Sequence, residues 1–417
     1  MIRDRQAHMT HRTLKAGFFV LEGLNSLATT IYFYYIYFFM AKEFGFGNRD
    51  NLLLSAANGF LYTFAAWYAG RFGQRHGYFK ALGLGFSLMA ASLAIGSFTV
   101  SLRSQIAVML TCTLGMCFTW PTLQALVSEK ETPAGLQTMV GVYNVVWAGI
   151  SGLTFFTGGA LLQAFGLRSL FWIPATVHLV QLGLLFWLKG QATRVVHLPA
   201  NSSLSLEPLP RLNPRPIARA RIFLKMAWLA NPFAYVAVNS IVAVIPGLAL
   251  RFELSPMLAG FFCSIWLFAR LGTFLVLWLW DGWHYRFRWF IIAFLLLIAG
   301  FASTLLMTKP WAIIIAQVGF GMGLGLIYYS SLFYSMDVGE TKGEHGGFHE
   351  AAIGVGLFGG PAVGALALYF FPNKPDSGTF AVSGLLILGL LSLLALSYRA
   401  HAALSPVGPR SQDSRRQ

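Results

Sequence analysis

The chain has 417 residues, of which 56% are hydrophobic and only 11% charged, and its mean hydropathy is +0.62. Soluble domains carry about 25% charged residues, so a soluble globular protein is excluded. The formal charge of +15 points to nucleic acid only where a folded basic domain carries it; here the basic residues flank apolar stretches, and no nucleic-acid partner is expected.

Apolar stretches close to the roughly 20 residues that cross a bilayer as a helix occur at 16–40, 51–70, 80–100, 105–127, 138–163, 169–188, 221–248, 256–280, 288–307, 310–334, 345–371 and 378–398. The expected class is an all-α membrane protein with twelve transmembrane helices. With the N-terminus in the cytoplasm, roughly three-quarters of the Lys and Arg residues fall at cytoplasmic ends and loops, the bias expected of a multi-pass protein. An even number of crossings returns the C-terminus to the same side, where Arg399, Arg410, Arg415 and Arg416 stand. The expectation is an integral protein of the cytoplasmic (inner) membrane with both termini in the cytoplasm and the lipid bilayer as its partner.

The first segment follows Arg3, Arg5, Arg12 and Lys15 but is too long for a signal peptide and lacks a cleavage site, so it is read as a retained helix. Within it Glu22, Asn25, Ser26 and Thr29 follow the i, i+3, i+4, i+7 spacing of one helix face. Lipid cannot satisfy a polar stripe that begins with a carboxylate, so the stripe is expected to face a water-filled cavity. Tyr32, Tyr34, Tyr35 and Tyr37 continue the helix, some as substrate contacts and the others as an interfacial belt.

After the second segment comes Gly70-Arg71-Phe72-Gly73-Gln74-Arg75-His76-Gly77-Tyr78-Phe79-Lys80, read as a glycine-dependent turn with basic side chains. Trp120-Pro121 is a site for a bend in the fourth segment, with Gln124 one turn on. Cys112, Cys117 and Cys263 lie in apolar segments and are read as packing residues, giving neither disulfides nor a metal site. His178 is expected to be a hydrogen-bonded packing residue. Residues 189–219, rich in Pro, Ser and Arg, read as a cytoplasmic linker between an N-terminal six-helix bundle (1–188) and a C-terminal one (220–400). Residues 401–417 read as a polar cytoplasmic tail.

In the second half Tyr235 and Asn239 are four apart on one face, and Arg270 is the one basic residue deep inside a segment. Arg270 is open to three roles: binding an anionic substrate, neutralising Glu22 or Glu350, or making a structural ion pair. Gln317 and Tyr328 are further polar candidates. The eleventh segment opens Glu344-His345-Gly346-Gly347-Phe348-His349-Glu350. His345 and His349 have a spacing that a metal permits, but no third ligand is evident, and no metal or other cofactor is expected. His349 and Glu350 are read either as proton-handling groups, since His titrates near neutrality, or as hydrated groups at the cytoplasmic mouth.

An internal repeat organises these features. Gly141, Gly149 and Gly159 recur at constant offset as Gly346, Gly354 and Gly364, Gly159-Ala160-Leu161 answers Gly364-Ala365-Leu366, and Phe165 answers Phe370. The fifth and eleventh segments are therefore one helix written twice, and a working surface is expected between two equivalent halves. The repeat is broken where Asn144 stands opposite His349, Val145 opposite Glu350 and Gln137 opposite Lys342.

The six-linker-six plan, the basic central loop and the repeat resemble the major facilitator superfamily over nearly the whole length. Gly70, Arg75, Gly77 and Lys80 fit that family's loop pattern; Gln74 stands where its aspartate is usual. The equivalent loop of the second half keeps Asp281 at that place but lacks the glycines and the arginine. The resemblance implies two pseudo-symmetric six-helix bundles, a cytoplasmic gate latch built on this loop, and a cavity lined by segments 1, 4, 7 and 10, which adds weight to Gln124, Asn239 and Gln317. Thr154 and Phe155 replace the glycine–proline pair of antiporters, and the family's arginine in the fourth segment is missing, as is its sugar-porter motif at the end of the sixth.

The function these readings give is a monomeric secondary transporter moving a small organic solute by alternating access, with protons coupled through Glu22, His349 or Glu350. The alternatives are a transporter-like scaffold or receptor without transport, and an integral-membrane enzyme using His349 and Glu350 as acid and base. ATP-driven transport is disfavoured because no phosphate-binding P-loop occurs in the sequence.

Overall fold

A computed structural model describes the backbone of residues 2–128, 133–196, 217–338 and 342–404, with side chains at 13–128, 135, 138–193, 219–335 and 349–400. Among these residues there are thirteen α-helices, one 3-10 helix and no strand. The helices are α1 (Ile2–Phe44), α2 (Asn48–His76), α3 (Tyr78–Phe98), α4 (Leu102–Ser128), α5 (Pro133–Phe165), α6 (Ser169–Val196), α7 (Ile217–Arg251), α8 (Pro256–Cys263), α9 (Ile265–Leu279), α10 (Phe287–Leu306), α11 (Pro310–Val338), α12 (Lys342–Phe370) and α13 (Ser377–Leu404). Each expected segment is matched by one helix, except the eighth, which is α8 and α9 in succession.

Ten of the resulting spans are long and apolar enough to cross a membrane by length and composition. The two that fall short are α1 and α2, and the reason is chemical. Both carry buried polar side chains inside the bundle: Glu22, Asn25, Ser26, Thr29 and Thr30 on α1, and Asn51, Ser55 and Asn58 on α2.

The break in the eighth span has a local cause. Ser255 caps α8 by accepting from the Leu258 N–H, with Pro256 in the first turn, a favoured helix start. At the junction the Ser264 hydroxyl bonds back to the Phe261 carbonyl, and Gln317 Nε2 donates 2.9 Å to the Phe262 carbonyl. Carbonyls diverted to side chains are a recognised origin of kinks. By contrast α4 stays helical through Pro121, and α12 through Pro361.

Other expected boundaries move outward. Residues 70–76 are not a loop but the last turns of α2, and the turn to α3 is Gly77 alone, at φ +95°. A residue with a Cβ is strained there, which accounts for the glycine. α6 continues to Val196 and α7 starts at Ile217, so both ends of the expected 189–219 linker are helical; residues 197–216 and 405–417 lie outside the described residues. Basic side chains at span ends close neighbouring helices: Lys15 Nζ donates to the carbonyls of Leu126 and Val127, Arg168 to Ser97 and Thr99, and Arg251 to Leu305 and Met307.

The helices form two six-helix bundles, and the repeated glycines lie on the seams between them. A Cβ built at Gly159 falls 2.0 Å from the Pro256 carbonyl oxygen, and one at Gly141 falls 2.7 Å from Trp278. Gly149 faces Leu271. All three therefore press α5 onto α8–α9. In the other half Gly354 meets the Thr63 backbone and Gly364 meets Leu52, so these press α12 onto α2. From the α2 side, Gly59 lies directly against the backbone of Leu357 and Phe358. Without an apolar driving force in lipid, such close approach supplies the packing energy that joins helices. The internal repeat is thus the sequence record of the two inter-half seams.

Candidate functional site

Between the halves lies a cavity of about 160 Å³. Its walls come from α1 (Thr29, Thr30, Phe33, Tyr34, Tyr37), α2 (Asn58, Tyr62), α4 (Met116, Trp120, Gln124) and α5 (Trp147, Ser151) on one side. On the other they come from α7 (Tyr235, Val238, Asn239, Val242), α11 (Tyr328) and α12 (Glu350, Ile353, Leu357). The surface is an aromatic box with few polar points. Trp147 packs edge-on to Tyr328 with ring centroids 5.3 Å apart, and Tyr235 to Tyr328 at 6.2 Å. Apolar walls with a small number of placed polar groups are the usual make-up of a small-molecule site.

Among the described residues Glu350 is the sole carboxylate in this wall. It is 4% exposed, and both its oxygens are held by the opposite half: Tyr62 Oη donates to Oε2 at 2.7 Å and Gln124 Nε2 donates to Oε1 at 2.6 Å. Short bonds to a carboxylate are the strong, charge-assisted kind. His349, one residue earlier, points elsewhere: its Nδ1 lies 3.3 Å from the Ser331 hydroxyl and its ring stands 5.5 Å from that of Tyr328. Neither group stands at a hydrated mouth, since His349 is 1% exposed. His345, Glu344, Lys342 and Gln137 have side chains outside the described residues.

Of the α1 stripe, only Thr29 reaches the cavity. Glu22, Asn25 and Ser26 are fully buried rather than water-facing. The hydroxyls of Ser26 and Thr29 bond back to the carbonyls of Glu22 and Asn25, one turn earlier, so they need no solvent. Both carboxylate oxygens of Glu22 and both amide atoms of Asn25 make no hydrogen bond to a described group, nor do Asn144 Nδ2 or His349 Nε2. Such atoms are rare in native interiors. Tyr143 stands near Glu22 and against Gln124, which bonds Glu350, so a polar zone reaches from Glu22 past Tyr143 and Gln124 to Glu350.

Placement of the other expected residues is mixed. Gln124, Asn239, Tyr328 and Glu350 line the cavity, as do Asn58 and Tyr235. Asn144 is buried beside it, its Oδ1 accepting from Trp147 Nε1 at 3.2 Å. Gln317 does not line it; its amide nitrogen is spent on the α8–α9 junction. Arg270 makes no ion pair with Glu22 or Glu350 and does not line the cavity; its guanidinium lies over the rings of Trp147 and Trp266. The tyrosine run on α1 forms no interfacial belt: Tyr34 and Tyr37 line the cavity, while Tyr32 packs on Phe171 and Tyr35 donates to the Phe155 carbonyl. His178 is a packing residue whose Nδ1 bonds Gln181.

The gate-loop residues also separate. Gly70 is buried in α2, while Gln74, Arg75, Gly77 and Lys80 are exposed, as is Asp281 at the start of the 3-10 helix Asp281–Trp283. Among the described residues, no hydrogen bond or ion pair links Gln74, Arg75 or Lys80 to the second half. Tyr62, Trp120 and Trp147 were not singled out as site residues by the sequence. For Tyr62 a signal existed, because it stands one turn beyond Asn58 on the same face of α2.

A family model described as Major Facilitator Superfamily matches residues 18–361. None of the curated proteins is a significant sequence match. Among solved structures, one from a study of substrate recognition in proton-dependent oligopeptide transporters superposes with a TM-score of 0.64 at 17% identity, covering 93% of this chain and 100% of that one. The nucleoside transporter NupG gives 0.63 at 14% identity, covering 92% and 99%. The human organic anion transporter MFSD10 gives 0.62 at 16% identity, also covering 92% and 99%. At these identities the likeness establishes the fold alone.

Proposed function

The chain belongs to the Major Facilitator Superfamily, and on that premise we propose that it is a secondary transporter moving a small organic solute by alternating access, with protons coupled through Glu350. The observation that carries this reading is one cavity walled by both halves, in which the single lining carboxylate belongs to one half and both its partners to the other. A rocking motion that re-exposes the cavity must lengthen or break those two bonds. Ionised, Glu350 accepts both as charge-assisted bonds and holds α12 to α2 and α4. Protonated, it loses the charge assistance and the seam loosens. Proton occupancy and the closure of the halves are then linked, which is what coupling requires. Glu22, in the adjoining polar zone, is the second group in the proton path.

The remaining assignments follow the same scheme. Residues 1–188 and 220–400 are the two moving bodies, 189–219 their linker and 401–417 a polar tail. The protein works as a monomer in the cytoplasmic membrane, with linker and termini in the cytoplasm. An enzyme using His349 and Glu350 as an acid–base pair is disfavoured because the two side chains diverge, one toward Ser331 and the other toward Tyr62 and Gln124.

The test is a thermal-shift screen of the purified protein against solute classes, followed by counterflow of each hit in proteoliposomes with and without an imposed pH gradient. Saturable exchange that responds to the gradient supports the proposal. Binding without exchange would favour a receptor or scaffold. If Glu22→Gln and Glu350→Gln both leave the gradient response intact, the proton role is wrong.

A further inference from the structure

Arg270 is the buried charge that the coupling scheme leaves unused. It lies on α9 at 3% exposure, with its guanidinium carbon 4.3 Å from the Trp147 ring centroid and 5.1 Å from that of Trp266. No carboxylate lies within ion-pair distance of it among the described residues, and Glu350 is already held by Tyr62 and Gln124. Two aromatic faces attract a cation, but they do not replace the hydration of a guanidinium, and a buried charge without a counter-ion marks a functional site by default.

The geometry narrows what the counter-ion is. The indoles cover the guanidinium, and the atoms that bond to no described group are Nε and Nη2. Those two N–H groups point in parallel from one edge of the planar head, the fork that donates to both oxygens of one carboxylate. The guanidinium is hydrogen-bonded to the Tyr34 hydroxyl, and it does not line the cavity itself; Tyr34 and Trp147, the two groups that separate it from the cavity, are both cavity wall. Beyond them Tyr34, Tyr235, Tyr328 and Trp147 offer flat apolar faces, and Asn239 contributes an amide nitrogen that bonds to no described group.

We propose that Arg270, set directly behind Tyr34 and Trp147 of the cavity wall, is a carboxylate subsite adjoining this cavity, and that the solute class is an organic carboxylate with a flat apolar body lying among the α1, α5, α7 and α11 aromatics. This rests on the transport reading and specifies its substrate chemistry. Trp147 then has a double role: it stacks on the arginine and forms the cavity face against which the body of the solute packs.

The experiment sets three carboxylates (benzoate, phenylacetate and indole-3-acetate) against their amides and the corresponding amines, in thermal shift and in proteoliposome counterflow. The expected result is stabilisation and exchange by at least one carboxylate, with its amide at least about 10-fold weaker, since a neutral group forfeits the charge-assisted fork. Arg270→Gln is expected to weaken that carboxylate by about 100-fold, the scale for removing one partner of a buried hydrogen-bonded charge pair. Arg270→Lys, which keeps the charge but not the fork, recovers only part of this. Should Arg270→Gln fail to fold, the Lys variant and the selectivity of the native protein still decide. Amides or amines that bind as well as the carboxylates overturn the subsite while leaving transport standing. Absence of binding and exchange by every solute, in this series and in the broader screen, overturns both.

Discussion

The hydroxyl of Tyr62 donates a 2.7 Å hydrogen bond to Oε2 of Glu350, and this bond crosses from the first six-helix half to the second. Gln124 makes the companion bond to Oε1. In Glu350→Gln the side chain keeps its shape but has one acceptor oxygen and no charge, so the protonation-linked difference in seam strength is removed. Solute exchange at equal pH is expected to stay within about threefold of native, a change of under 1 kcal/mol in barrier. Acceleration by an imposed pH gradient is expected to vanish. The check is the initial counterflow rate with and without the gradient.

Tyr62→Phe tests the same bond from the other side. It removes one charge-assisted hydrogen bond, about 1.5–3 kcal/mol, from the seam between α2 and α12. The unfolding midpoint in detergent is expected to fall, and the gradient response to weaken without being abolished because Gln124 remains. An unchanged response together with an unchanged midpoint would mean that the bond does no mechanical work.

The seam glycines give a sharper contrast. A Cβ at Gly59 would lie 2.3 Å from the Leu357 carbonyl carbon, and one at Gly159 would lie 2.0 Å from the Pro256 oxygen. Backbone atoms on a packed helix cannot step aside as a side-chain tip can. Gly59→Ala and Gly159→Ala are therefore each expected to cost about 1–3 kcal/mol through overpacking. Gly183 on α6 has nothing within 4 Å, so Gly183→Ala should be neutral or stabilising by up to about 1 kcal/mol. Detergent unfolding midpoints of the three variants settle the ordering.

The same glycines are the most legible part of the fold in the sequence. The Gly141–Gly159 and Gly354–Gly364 repeats mark α5 and α12 because close backbone approach requires a missing side chain, and that requirement is written directly in the sequence. The cavity residues were less legible. Thr29 and Glu22 share a helix stripe, yet only Thr29 lines the cavity, because the rotation of α1 against α4 and α5 decides which part of the stripe is covered. The sequence left Arg270 open between an anionic substrate, Glu22 or Glu350 and a structural ion pair, and nothing in its own segment showed that two indoles, from α5 and from its own helix, would lie against it. Gln317 resembled a cavity amide until the break at Ser264, invisible in an apolar run, supplied the carbonyl it bonds. Contacts between distant segments, rather than local pattern, separate these cases.

The last expectation concerns the turn after α2. The family resemblance places a latch on Gln74 and Arg75, but both are exposed and neither bonds the second half among the described residues. Gly77 instead carries the backbone at φ +95° between α2 and α3, with its N–H on the Gly73 carbonyl. With ψ at 141° this lies outside the left-handed helical well, in a region nearly restricted to glycine, where a side-chain-bearing residue costs about 1–3 kcal/mol, so Gly77→Ala should lower the unfolding midpoint by a measurable step. Gln74→Ala, on an exposed helix face, should stay within about 0.5 kcal/mol of native and leave the counterflow rate unchanged. If Gln74→Ala slows exchange while Gly77→Ala is silent in both assays, the latch and not the turn is what this segment contributes.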